Sequence, residues 1–342
     1  MKQSTLLLLI SMIIWTGCAS NEGDDDLNLG KTYVLCEGNF GYSNAALWSI
    51  SPEDSTTETL IIGGGSLGDV AQSLTIADDK LYVIVNNSHK IEVFSLGNEI
   101  SHDTTIVFSI ISPTGPRYLV ATGDTGYVSC WNLSAILVLD LATSTVIDTI
   151  PVSGMPEYMV LDDKSLYVSI PSNSDGSSSN YVIEISTSTK EIIHTYEVVS
   201  GPSDMELIGS NLYISSTYYG ADWSTYTGLS KINLSTGTVM STTYNDDSNY
   251  LIKNDLVKVG ETLYRSTTTG LAKVNDDLSL DLDNIIGGQM NVYSAGADEN
   301  YLYFGTTDFI APDTVYVTNH SGDAINRFIV GAIPGDFAVY TE

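Results

Sequence analysis

The side chains that could perform chemistry are few and poorly spaced for catalysis. The chain has four histidines, His89, His102, His194 and His320. None stands at zinc-type spacing to another His or to a Cys. Gly63-Gly64-Gly65 is not followed by a helical pattern, so it makes a poor phosphate cradle. No Gly-x-Ser-x-Gly elbow occurs. With 42 Asp and Glu residues, a close carboxylate pair would arise by chance and carries little information. Asp246-Asp247 and Asp276-Asp277 offer oxygens to calcium but lack the regular spacing of a dedicated loop, so simple turns are the plainer reading. No catalytic residue, metal ligand or cofactor is assigned. The remaining chemistry is recognition, by aromatic rings with polar handles and by side-chain amides.

A repeat must position these groups. A short strand with a central Tyr recurs seven times: Thr32-Tyr33-Val34, Leu81-Tyr82-Val83, Gly126-Tyr127-Val128, Leu166-Tyr167-Val168, Leu212-Tyr213-Ile214, Leu263-Tyr264-Arg265 and Leu302-Tyr303-Phe304. The interval is roughly 40–50 residues, which suits one four-stranded propeller blade. A strand and a tight turn precede the later copies, as in Ser73-Leu74-Thr75-Ile76 and Asp78-Asp79. A loop and two more strands follow. Gly115-Pro116, Gly154-Met155-Pro156 and Gly201-Pro202 open successive repeats. No sustained 3.6-residue period appears after the N-terminal leader. The spacing predicts an all-β, seven-bladed β-propeller over 31–342.

The two ends of the chain are out of phase with the repeat. The first copy begins at Tyr33 without its preceding strand, and Gly335-Asp336-Phe337-Ala338-Val339-Tyr340 matches the missing one. The C-terminal strand is therefore expected to complete the first blade and remove an exposed sheet edge. Two sandwiches, the alternative all-β arrangement, would not give this phase shift. Cys36 and Cys130 occupy equivalent strands of different repeats, so free, buried thiols are expected.

Ligands of propellers usually sit on the face made by loops from strand four to the next strand one and from strand two to strand three. Phasing the repeat places Phe40, Tyr42, Asn86, Asn87, Trp131, Tyr219, Trp223 and Phe309 in the second set. Arg117, Tyr118 and Tyr158 fall in the first. These eleven are the candidate ligand-binding residues, because aromatic loops are unusual unless they bind something. About half of the rings would instead cap their own blades. Arg117 either lines the central funnel or forms a structural ion pair with a neighbouring carboxylate. His89 lies in one of these loops, where a lone histidine is ordinarily solvated.

Residues 1–17 read as a signal peptide: Lys2, then an apolar run from Leu6 to Ile14, too short to span a membrane comfortably. Trp15-Thr16-Gly17-Cys18 resembles the bacterial lipobox, although Trp15 departs from the usual Leu, and it makes Cys18 the expected lipidation site. An ordinary secretory signal with an incidental Cys is the alternative. Residues 18–30 carry the acidic run Asn21-Glu22-Gly23-Asp24-Asp25-Asp26, a flexible tether that is either a surface-export signal or a plain linker. Membrane contact is then through lipid alone. A net charge of -29 excludes a basic footprint and so argues against nucleic acid as a partner.

Cys36-Glu37-Gly38-Asn39-Phe40-Gly41, Leu67-Gly68-Asp69-Val70-Ala71-Gln72-Ser73, Leu81-Tyr82-Val83-Ile84-Val85-Asn86-Asn87-Ser88 and Pro116-Arg117-Tyr118-Leu119 together resemble the YncE-like propeller lipoproteins of Bacteroidetes. Within that group they are most similar to the corrinoid-binding BtuG proteins. The resemblance is sharpest over residues 36–120. It implies a cell-surface, outer-membrane lipoprotein that captures a corrinoid (vitamin B12) as transported ligand rather than cofactor. It also implies a TonB-dependent outer-membrane transporter as partner. Two other classes stay open: an adhesion or protein-interaction propeller without small ligand, and a hydrolase or lyase acting on a glycan or lactone. The enzyme would require clustered carboxylates or a metal in the funnel.

Overall fold

The computed structural model describes residues 31–340 apart from 61–65, 98, 109–112, 222, 245–252, 290 and 311. The leader, Cys18 and the acidic tether lie outside the described residues. Seven four-stranded antiparallel sheets follow one another along the chain. In the second blade the strands are Ala71–Ala77, Lys80–Val85, Lys90–Ser95 and Ser101–Val107, running from the central axis outward. The innermost strands of successive blades touch one another all the way round, so the sheets close into a seven-bladed propeller.

Burial follows from that stacking. A second strand is covered on both faces by the adjacent blades, so it reads as continuous apolar sequence rather than alternation. Tyr33, Val34, Leu35 and Cys36 are all fully buried. The outermost strands, such as Ser101–Val107 and Ile192–Glu197, are largely exposed. Tyr33, Tyr82, Tyr127, Tyr167 and Tyr303 of the recurring strand are buried in successive clusters between blades. Cys36 and Cys130 are free and buried, as their equivalent strands require.

The last strand, Pro334–Tyr340, pairs with the first, Lys31–Cys36. The register runs from Lys31 opposite Tyr340 to Cys36 opposite Pro334. The expected closure is thus present, and the N-terminal blade takes its innermost strand from the C-terminal end of the chain.

One register position also sews neighbouring blades together. It is the residue just before Leu74, Leu119, Met159, Met205, Leu256, Ala295 and Phe337 of the successive innermost strands. The N–H of Leu74 donates to Asp336 Oδ2 at 2.9 Å, that of Leu256 to Asp204 Oδ2 at 2.7 Å, and that of Ala295 to Asp255 Oδ2 at 2.7 Å. At the same position Ser73 donates to the Arg117 carbonyl at 2.7 Å and Ser294 to the Pro334 carbonyl at 2.6 Å. Five of the seven junctions are latched this way. The other two blades carry Tyr118 and Tyr158 there.

Candidate functional site

The innermost strands begin on one face of the ring, and their first residues line a cavity of about 570 Å³ on the central axis. The face is the one carrying the loops from second to third strands, because both sets of connections leave the same end of the antiparallel sheets. Three of the predicted residues, Arg117, Tyr118 and Tyr158, line this funnel.

Arg117 fulfils both of its sequence-based alternatives. Its Nε and Nη2 donate to Glu157 Oε2 and Oε1 at 3.0 and 2.6 Å, and Nη1 donates to Gln72 Oε1. The guanidinium carbon lies 3.9 Å from the centre of the Trp131 ring. A planar fork held at two carboxylate oxygens and stacked on indole is a fixed part of the wall. Trp131 therefore serves the funnel indirectly.

Opposite stands a second ion pair. Lys253 Nζ is 2.7 Å from Glu37 Oε1 and donates to the Gly335 carbonyl at 2.6 Å. Tyr293 donates to Glu37 Oε2 at 3.1 Å. Burial alone would lower the Lys253 ammonium, but Glu37 together with Tyr293, Tyr118 and Asp255 more than offsets it and holds the group well above its ordinary value. A Cβ on Gly335 would stand 2.2 Å from Glu37 Oε1. The glycine is what leaves room for this pair.

Asp204, Asp255 and Asp336 also line the cavity, and none of them forms an ion pair among the described residues. Burial raises the Asp255 carboxyl to about 7, against the pull of Lys253. Burial and the neighbouring Asp255 hold Asp204 well above the carboxylate range, and burial also raises Asp336. Glu206, at the opposite end of the axis, is raised to about 7 by burial. The consequence for stability has a definite sign. A carboxyl with a raised folded value binds more protons in the native than in the unfolded state between the two values, so stability falls as pH rises through that interval. The melting temperature is expected to be higher near pH 5 than near pH 8, by scanning calorimetry. Asp255→Asn, which keeps an oxygen for the Ala295 N–H, should flatten the slope. A melting point that climbs steadily from pH 5 to pH 8 would contradict this arrangement.

The remaining predicted residues divide in two. Asn86 donates to the Pro116 carbonyl at 2.9 Å and Asn87 to Asp69 Oδ2 at 2.5 Å, so both brace loops. His89 is likewise not a solvated loop side chain: its Nδ1 accepts the Gly115 N–H at 3.2 Å. Phe40, Tyr42, Tyr219, Trp223 and Phe309 instead form a rim. Their exposures of 76, 78, 59, 83 and 48% show rings held in solvent, not caps on their own blades. Trp223 and Phe309 have φ of 64° and 68°. Bulky residues rarely tolerate the left-handed region, and such strain gathers where loops are shaped for contact. Phe309 meets Tyr293 edge-on with ring centres 6.0 Å apart, which connects rim to funnel.

Glu37, Gln72, Glu157 and Asp204 line the funnel and are not among the eleven candidates. Lys253, Asp255 and Tyr293 line it too, as does Asp336, which the sequence marks only as part of the closing strand. Asp204, Asp255 and Asp336 share one position in their blades, but nothing local in the sequence marks Lys253 or Tyr293. Arg265, the odd residue within its Tyr strand, is fully buried, and its Nη2 donates to Asn254 Oδ1 at 2.7 Å.

No family model matches the chain, and no curated protein matches it in sequence. Solved structures match across the ring. A Lactobacillus plantarum protein is 14% identical over 91% of this chain and 99% of its own, with a TM-score of 0.65. A candidate 6-phosphogluconolactonase from Bacteroides uniformis is 14% identical over 91% of this chain and all of its own (100%), TM-score 0.65. A hypothetical selenium-binding protein from Sulfolobus tokodaii is 10% identical over 91% and 92%, TM-score 0.66. The likeness is one of fold. At these identities it shows the propeller fold alone and carries no function across.

Proposed function

We propose that this propeller is a ligand-capture protein of the bacterial surface. In this reading it is anchored by a lipid on Cys18 and binds a corrinoid on the rim and funnel face. It then passes the ligand to a TonB-dependent outer-membrane transporter. The observation that carries the reading is the rim: five large rings stand exposed on the one face that also opens into a polar cavity. An amide-fringed, mostly neutral disc is complementary to such a face. Rings cover its apolar plane while carboxylate and backbone oxygens accept from its amides. Loops fixed on a rigid ring reduce the ordering cost of binding.

The funnel also supports a second reading. Carboxylates cluster there, as a hydrolase acting on a glycan or lactone would need. A phosphorylated substrate fits poorly, because both cations of the lining are already paired with Glu157 and Glu37. Moreover, both oxygens of Asp204 and of Asp336 accept backbone N–H groups, which suits them to holding the ring.

Calorimetric titration of the chain from residue 19 onward with cyanocobalamin tests the proposal. Tight one-to-one binding is expected. Trp223→Ala or Tyr219→Ala should weaken it about tenfold or more without changing the melting temperature, since both rings are exposed. No heat at micromolar protein would sink the corrinoid assignment, and turnover of a lactone or glycan would favour the enzyme.

A further inference from the structure

We propose that the funnel, independently of what the rim binds, holds an organic cation whose charged head meets Asp255 and whose body lies against the Tyr118–Tyr158 pair. The first ground is the broken latch. Five of the seven equivalent side chains are Asp or Ser engaged with the next blade. Only in the third and fourth blades has this position been released from that duty. There it carries two adjacent tyrosines with ring centres 4.8 Å apart. Both rings line the cavity, and neither hydroxyl has a hydrogen-bond partner among the described residues. Aromatic faces in an enclosed polar cavity attract cations, by about 0.5–2 kcal/mol each.

The excess of carboxyl groups over cations is the second ground. The lining holds five carboxyl groups, Glu37, Glu157, Asp204, Asp255 and Asp336, against Arg117 and Lys253. Both cations are consumed by Glu157 and Glu37. Asp255 spends only Oδ2 on the Ala295 N–H, and its Oδ1 has no hydrogen-bond partner among the described residues. Burial raises this carboxyl to about 7 even against the pull of Lys253. The third ground is size. At about 570 Å³ the cavity admits an amine of drug-like dimensions.

Entry of an ammonium or guanidinium group would form an ion pair with Asp255 carboxylate and release its proton to solvent. Lys253, Asp204, Asp336 and Glu37 all act on Asp255 from neighbouring positions. The three carboxylates favour the incoming cation and Lys253 opposes it. Affinity should therefore rise with pH as Asp255 ionises.

Benzylamine and its neutral counterpart benzyl alcohol are suitable probes, titrated calorimetrically into the chain from residue 19 onward. Benzylamine is expected to bind about tenfold or more tightly than the alcohol. Its affinity should increase between about pH 6 and about pH 8, with a heat that depends on the buffer's ionisation enthalpy because a proton is released. Asp255→Asn and Tyr158→Leu should each weaken the amine about tenfold, with circular dichroism confirming the fold. Should Asp255→Asn fail to fold, Tyr158→Leu decides. Equal affinity for amine and alcohol, absence of amine binding near pH 8, or folded variants with undiminished affinity would overturn the proposal. The rim titration with cyanocobalamin is a separate measurement, so failure of one does not entail failure of the other.

Discussion

Ending the chain at Ile333, and so removing the strand Pro334–Tyr340, should abolish cooperative folding. The truncated chain is expected to show no thermal transition and to expose apolar surface that binds a hydrophobic dye. Three losses coincide. The first strand would lose its whole ladder with the closing strand, from Lys31 to Cys36. Phe337, which stacks on Tyr303 at 5.6 Å between ring centres, would leave a cluster that also holds Val34 and Cys36. Asp336 would no longer accept the Leu74 N–H, so the junction to the second blade opens too. A domain of this kind has a net stability of roughly 5–15 kcal/mol. Loss of a partly buried aromatic alone costs about 2–3 kcal/mol, and unpairing the strand along its whole length adds unsatisfied N–H and C=O groups. The sum exceeds the margin. A truncated chain that melted cooperatively within a few degrees of the intact one would show that the ring is not held by this closure.

Glu157→Ala should cost about 3–5 kcal/mol, because it strands the Arg117 guanidinium in a wall from which solvent is largely excluded. The Arg117 and Glu157 side chains are 15% and 8% exposed. Two of the guanidinium's bonds end on Glu157, and the stacking on Trp131 cannot replace them. The melting temperature is expected to fall on the order of 10 °C. Arg117→Met combined with Glu157→Leu should recover much of the loss, since removing both charges removes the unpaired one. A loss within about 1 kcal/mol for Glu157→Ala would mean that water reaches the pair and screens it.

Local sequence made the blades legible. A strand covered on both faces must be apolar throughout, so Tyr33-Val34-Leu35-Cys36 and its counterparts announce themselves without reference to anything distant. The turns between them are set by a few residues of Asp, Gly and Ser. The missing strand before Tyr33 and the surplus strand at Gly335–Tyr340 likewise reveal closure, because a repeat that begins late and ends late can only be completed by joining its ends. The exposed rim was readable for a similar reason: Phe40, Tyr42, Trp223 and Phe309 lie in polar loops, and Tyr219 ends the strand Asn211–Tyr219 beside one, where rings have no blade core to fill.

The funnel was not readable to the same degree. Arg117 was recognisable as unusual, but whether it lined the axis or paired with a carboxylate depended on Glu157, 40 residues away. Lys253, Asp255, Tyr293 and Asp336 carry no local signature, since each sits singly at the start of a strand whose pattern is set by its neighbours. The sequence by itself determined the seven blades, the closure of the ring, the buried thiols and the aromatic face. Only the tertiary structure decided which charges meet. Their proximity is created by closing the ring, which gathers one or two residues from every blade onto a common axis and excludes enough water for their pairing, or lack of it, to matter.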